Sequence, residues 1–420
     1  MLDIFHWPTP PKPFINRILH SHGGDVKIAS LIAMFPQADN MLYLYTRPLR
    51  YLNMAHSNLD FQAGCKTTAM GIMPHTNVEQ ALKLALSLDI PFWPQLPNIN
   101  FYEDMYAQTS QNFPGIVVDS ENEKVSFNAA RFKEEVGDYS QRMAESQTFV
   151  LSEDYSVVYR RFLAKDLQGY PAIRGQVTGP VSFGFRVTDE NSRPIIYNEG
   201  VRALLFDFIQ RKVNTQYWQL KEKNQNVFVW LDEPGLGWVF SGLSGYNDVQ
   251  AGQDYRSFLA GLDGPKALHL CANVNLPYLL GLGIQLLSFD AYQIEFMPKE
   301  YANAVANFLR SGGTIAWGIV PTDLENLIKE TPETLAGLLS GYWEAVAVNT
   351  GLSAKLIAEQ ALIAPARCCL KNIGQVGASD DTMVCEASRN PNLTVEERLV
   401  DKAFAYLTTL SEILKDKFDL

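Results

Sequence analysis

NVFVWLDEPG, residues 226–235, decides the fold class. Val227, Phe228, Val229, Trp230 and Leu231 are apolar at consecutive positions, which predicts a strand covered on both faces, as in a parallel sheet. Asp232 and Glu233 follow at once, and Pro234 and Gly235 stop the run. Seven other runs bounded by Gly, Pro or Asp read as strands: TTAMGI (67–72), PFWPQL (91–96), AIRGQVTG (172–179), KALHLC (266–271), IQLLSFD (284–290), TIAWGIV (314–320) and ALIAPA (361–366). Helix-like segments fall between them. Val201, Leu204, Leu205, Phe208, Ile209 and Val213 form one apolar stripe at helical spacing, and 77–88, 301–309 and 334–348 are similar. Eight doubly covered strands alternating with helices predict an α/β chain folded as a (β/α)8 TIM barrel, with a doubly wound open sheet as the alternative.

Two parts exceed a bare barrel. Residues 1–62 form an N-terminal extension of uncertain structure, rich in proline at 8, 10, 11 and 13, and the barrel proper is expected over 63–420. Residues 97–171 form a long insertion after the second strand, where 2–6 residues are usual. Inside it, GIVVD and KVSFN flank the turn Ser120-Glu121-Asn122-Glu123, which predicts a hairpin, and helices follow near 128–145 and 155–166.

Composition narrows the class. The 420 residues are 47% hydrophobic and only 19% charged, enough apolar content to fill a large core. The net charge is −11 and the basic residues are scattered, which argues against nucleic-acid or anionic-membrane partners. The apolar stretch 276–289 is broken by Pro277, Gly281 and Gly283, and the start shows no secretory pattern. A cytoplasmic location is therefore expected. Five cysteines, 65, 271, 368, 369 and 385, are an odd set on a large chain, which points to burial, redox chemistry or metal rather than a disulfide framework.

Reactive groups of such a barrel sit where strands end. Here those positions are Asp232 and Glu233, His269 and Cys271, Asp290 with Glu295 shortly after, and Arg367-Cys368-Cys369. His269 and Cys271 are two apart, so on a strand both face the same side, and imidazole with thiolate is a zinc-ligand pair. A core histidine beside a buried cysteine reads the same way. The acids of LDEPG can cap the following loop through backbone N–H groups or bind a substrate ammonium, and both uses stay open. GQVTGP (175–180) can bring backbone to a ligand or simply turn tightly. Phe92, Trp93 and Phe101 fit core filling better than a pocket wall.

Taken together, TTAMGIMPHT (67–76), IRGQVTGPVSF (173–183), LDEPGL (231–236), HLC (269–271) and CCLK (368–371) occur in the order found in cobalamin-independent methionine synthase. From about residue 65 onward the chain resembles the C-terminal, catalytic barrel of that family, which belongs with uroporphyrinogen decarboxylase-like barrels. The family enzyme has two barrels, and this chain has room for one. The resemblance implies zinc-activated methyl transfer to a thiol, with zinc held by His269, Cys271, Asp290 and Cys368, and Glu295 and Cys369 as alternates. It implies that Asp232 contacts the amino group of homocysteine, with Asp232 and Glu233 as catalytic acids. Gly71, Ile72, Thr178 and Gly179 are the matching substrate-side positions. Three departures stand out. Ile72 replaces the family's serine, PQLPNIN (94–100) lacks a glutamate found after the second strand, and Asp290 stands where the family has glutamate.

The expected activity is thus a step of methionine-biosynthesis type, with a methyl-corrinoid protein or methyltetrahydrofolate as donor. Two other classes compete. A decarboxylase of the uroporphyrinogen type would use Arg174 and Arg186 for substrate carboxylates. A non-catalytic barrel would bind a small molecule or a corrinoid partner.

Overall fold

The computed structural model describes residues 60–241, 244–271, 274–369 and 393–420. Most of the N-terminal extension, Leu370 and Lys371 of the CCLK block, and Cys385 lie outside them.

The described chain begins with strand β1 (Lys66–Thr67) and helix α1 (Val78–Ala85), which starts where the Asn77 side chain accepts from the Gln80 N–H. Segment 97–171 follows. It carries helix α2 (Met105–Ser110), the antiparallel strands β2 (Ile116–Asp119) and β3 (Lys124–Phe127), and helices α3 (Ala129–Arg142) and α4 (Val157–Leu163).

From there strands and helices alternate. The order is β4 (Ile173–Thr178), α5 (Pro180–Arg186), α6 (Glu199–Lys221), β5 (Val227–Asp232), α7 (Asp248–Ala260), β6 (Lys266–Leu270) and α8 (Leu276–Leu280). It continues with β7 (Leu286–Asp290), α9 (Lys299–Arg310), β8 (Thr314–Val320), α10 (Leu324–Lys329), α11 (Pro332–Thr350), α12 (Ala354–Glu359), β9 (Ala361–Pro365) and α13 (Val395–Phe418). The α6 stripe legible in the sequence, Val201 to Val213, is the buried face of that helix.

Seven strands form one curled parallel sheet in the order β1-β9-β8-β7-β6-β5-β4. Burial explains why its strands are apolar on both faces. One cluster lies between sheet and helices, and a second gathers Ile90, Ala172, Phe228, Trp230, Ala267, Leu286, Ala316 and Leu362 from across the sheet. Residues on these strands alternate faces, so 174, 176 and 178 share a side, as do 228, 230 and 232, 267, 269 and 271, and 286, 288 and 290.

Two predicted strands are corrected. The run at 67–72 is a ladder only at Lys66–Thr67, with a single further bridge at Ile72, and 91–96 has only isolated parallel bridges at Phe92 and Gln95. The cause is proline: Pro91 and Pro94 lack the N–H a ladder needs. The segment still reaches both sheet edges. Arg174 donates its N–H to Pro91 O at 3.0 Å, Gln95 donates to Gly71 O at 2.7 Å, and Met73 donates to Gln95 O at 3.0 Å. Among the described residues, no helix is long and apolar enough to cross a membrane.

Candidate active site

The carboxyl ends of β5, β6, β7 and β9 bring the predicted polar residues to one end of the sheet, and the structure gives them different tasks. Asp232 closes β5, is 9% exposed, and forms no hydrogen bond among the described residues through its side chain. Burial pushes its carboxyl up to about 7, against the pull of the neighbouring Arg174 guanidinium.

Glu233, one residue on, is fully buried and does structural work. Its oxygens accept from Val181 N at 3.1 Å, Ser182 N at 2.7 Å and Ser182 Oγ at 2.6 Å, and so cap α5, whose own N-cap Gly179 has no side chain to do it. Glu233, expected from the sequence as a catalytic acid, is in this structure occupied in holding the start of α5. Gly179 has a steric reason too, because a Cβ there would lie 2.1 Å from Glu233 Oε1. Gly179→Ala should therefore displace the cap and lower stability by about 2–3 kcal/mol, read as a fall in urea midpoint at unchanged m value.

His269 is 5% exposed, and its Nδ1 lies 3.0 Å from Ser288 Oγ. Burial, aided by the Arg174 charge, lowers its pKa to about 3, so the ring is neutral and Nε2 has no partner among the described residues. Ser288 went unnoticed in the sequence. Its signal was the two-residue spacing to Asp290, which puts both on one face of β7.

Cys271 follows two residues after His269. Its thiol is pushed up to about 12 by burial, with Cys368, Asp232 and Asp290 adding to the effect and Arg367 opposing it. The two cysteines are thus near enough to feel each other, although they come from β6 and from the end of β9. Cys369 is 2% exposed, belongs to the apolar core, and donates its N–H to Ile72 O at 3.3 Å. That separates the vicinal pair: Cys368 is the member coupled to Cys271. Asp290 is 2% exposed and accepts from Arg367 Nε at 2.8 Å, whereas its rival Glu295 is exposed.

The remaining positions are built into the walls. Thr178 donates its hydroxyl to Met105 O at 3.0 Å and its N–H to Thr109 Oγ1 at 3.3 Å, which ties α2 over the end of β4. Gly71 makes room for side chains, since a Cβ would lie 2.7 Å from Gln176 Cδ. Arg174 is wholly buried, donates to Thr68 Oγ1 at 3.2 Å and Gln176 Oε1 at 2.9 Å, and stacks on Phe92 at 4.6 Å. Arg186 is exposed, its guanidinium 6.0 Å from the Tyr106 ring.

Two thiols, a neutral imidazole and a carboxylate on three strand ends are a zinc-type donor set by chemistry. No family model and no curated protein matches the chain. Solved structures do resemble it. A methyltransferase from Methanosarcina mazei superposes over 86% of this chain and 95% of its own length, with TM-score 0.47 and 15% identity. A B12-independent methionine synthase from Shewanella sp. W3-18-1, in complex with selenomethionine, does so over 84% and 99%, with TM-score 0.42 and 13% identity.

The donor set fits zinc in kind. His269 Nε2 has no partner among the described residues, and burial raises the Cys271 thiol so far that a cation is needed before it can ionise. It is not assembled: among the described residues no three of His, Cys, Asp or Glu are close enough to share one ion, and Asp290 is paired with Arg367.

Proposed function

We propose that this chain is a zinc-dependent methyltransferase that moves a methyl group to a thiol, with homocysteine as the leading acceptor. The observation that supports the reading is that the ends of β6, β7 and β9 carry His269, Cys271, Asp290 and Cys368, with Cys271 coupled electrostatically to Cys368, Asp232 and Asp290. His269, Cys271 and Cys368 would hold the metal, with Asp290 as the fourth donor once it leaves Arg367. A bound zinc ion supplies a thiolate at neutral pH by stabilising its charge.

The chain's own residues do the rest. Ser288 fixes the His269 ring through Nδ1, which leaves Nε2 outward as the donor atom. Asp232 accepts the acceptor's ammonium, a charge that would also favour its ionised form. Glu233 holds α5 and with it the Gly179 turn in place. The donor is a methyl-corrinoid protein or methyltetrahydrofolate. The same reading takes residues 91–96 as the second of eight strands and the sheet as a closed barrel, with 97–171 inserted after it.

Metal analysis tests the proposal. Protein purified without added metal should carry about one zinc per chain, and Cys271→Ala should lose it. Methyl transfer to homocysteine from one of the two donors should disappear with it. Wild-type protein that is folded, metal-free and unable to take up zinc would sink the idea.

A further inference from the structure

Behind β4, where α6 meets segment 97–171, lies a cavity of about 20 Å³ whose lining includes Trp93, Gln95, Gln108, Gln176, Lys212 and Gln216. All six are more than nine-tenths buried. Trp93 Nε1, Gln95 Oε1 and Gln216 Oε1 have no hydrogen-bond partner among the described residues. Leaving three such buried groups unmet is costly, because each gives up its hydration on folding with nothing in return.

The amide orientations are not arbitrary. Gln108 donates to Glu103 Oε2 at 3.0 Å and to Tyr155 O at 3.1 Å, so its Nε2 is assigned, and its Oε1 must be what receives Gln95 Nε2 at 2.7 Å. Gln216 Nε2 faces a carbonyl, Gln176 O, at 3.3 Å. Both unmet Oε1 atoms are therefore true acceptors. Lys212 Nζ donates to Gln108 O at 3.1 Å, with no ion pair among the described residues, so it keeps donor capacity. Space for the acceptors is made by glycine: a Cβ on Gly175 would lie 1.9 Å from Gln216 Oε1, and one on Gly71 3.0 Å from Gln95 Oε1.

The inventory is two donors, Lys212 and Trp93, and two acceptors, Gln95 and Gln216. A water molecule has two lone pairs and two protons, and needs about 10–15 Å³ of such space. We infer that this cavity is a built-in site for one internal water, which accepts from Lys212 Nζ and Trp93 Nε1 and donates to Gln95 Oε1 and Gln216 Oε1.

The site joins three parts of the chain. Trp93, Gln95 and Gln176 come from the sheet side, Lys212 and Gln216 from α6, and Gln108 from α2. The next residue, Thr109, receives the Thr178 N–H, so the water sits beside the contacts that hold α2 against the end of β4.

Two measurements on the intact wild-type chain test this. Crystal diffraction should show one ordered solvent peak within hydrogen-bond distance of all four atoms. The Trp93 indole N–H, assigned by its loss in Trp93→Phe, should show a nuclear Overhauser cross-peak to a long-lived water. Lys212→Met should abolish that cross-peak, and if that variant does not fold, Gln216→Leu should do the same. A cavity without density, or Trp93 paired directly with a glutamine, overturns the inference.

Discussion

Glu233→Ala should lower stability by about 3–5 kcal/mol, whereas Asp232→Asn, one residue away, should leave the chain as stable or more so and remove ligand binding instead. The difference lies in what each carboxylate does. Removing Glu233 strands three buried donors, Val181 N, Ser182 N and Ser182 Oγ, at the start of α5. At about 2 cal/mol/K per residue, that loss corresponds to a melting point lower by roughly 5 °C in a chain of this size.

Among the described residues, no hydrogen-bond donor would be stranded by the loss of the Asp232 carboxylate. Its carboxyl sits at about 7 in the folded chain against an ordinary 3.8, so ionising it opposes folding. The sign follows from linkage. Well below pH 3.8 the group is protonated whether folded or not and contributes nothing; its penalty grows from there up to about pH 7 and is constant above. Asp232→Asn should therefore match wild type in urea unfolding at about pH 3 and exceed it by about 2–4 kcal/mol at pH 8. A gap independent of pH would refute the assignment.

Arg174→Met should be equally costly, by about 3–5 kcal/mol, although the residue touches no ligand. The guanidinium is the buried cation coupled to both Asp232 and His269. Without it Gln176 Oε1 loses its donor, and Asp232 loses the charge that keeps its pKa from rising further. The carboxyl should then titrate above 7 and stay protonated at neutral pH, losing its hold on an ammonium. Carbon-13 NMR of the Asp232 carboxyl reads the shift directly. Arg174→Lys should restore only part of it, because one ammonium cannot reproduce a planar fork that reaches Thr68 and Gln176 from separate nitrogens. An unchanged Asp232 titration in the methionine variant would exclude the coupling.

Much of the candidate site was legible along the chain. Strand ends are marked locally, by apolar runs that stop at Asp, Cys or Pro, and the two-residue period places His269 with Cys271 on one face. The tasks within a neighbouring pair were not. LDEPG reads equally well as a cap or as a binding acid. The structure gives the cap to Glu233 and leaves Asp232 open, because only α5 brings the Val181 and Ser182 N–H groups to the second carboxylate. In the same way, Cys368 and Cys369 are equivalent as letters, yet one lies in the core and the other is coupled to Cys271.

The sequence by itself determined the α/β class, the succession of parallel strands and the residues at their ends, since these rest on short-range periodicity and on the covering of both strand faces. Tertiary structure decided where proline reduces a strand to isolated bridges, which acid caps α5, which thiol lies in the apolar core, and that Lys212, Trp93, Gln95 and Gln216 line one small cavity. Those outcomes depend on contacts between residues tens to hundreds of positions apart, and no local pattern records them.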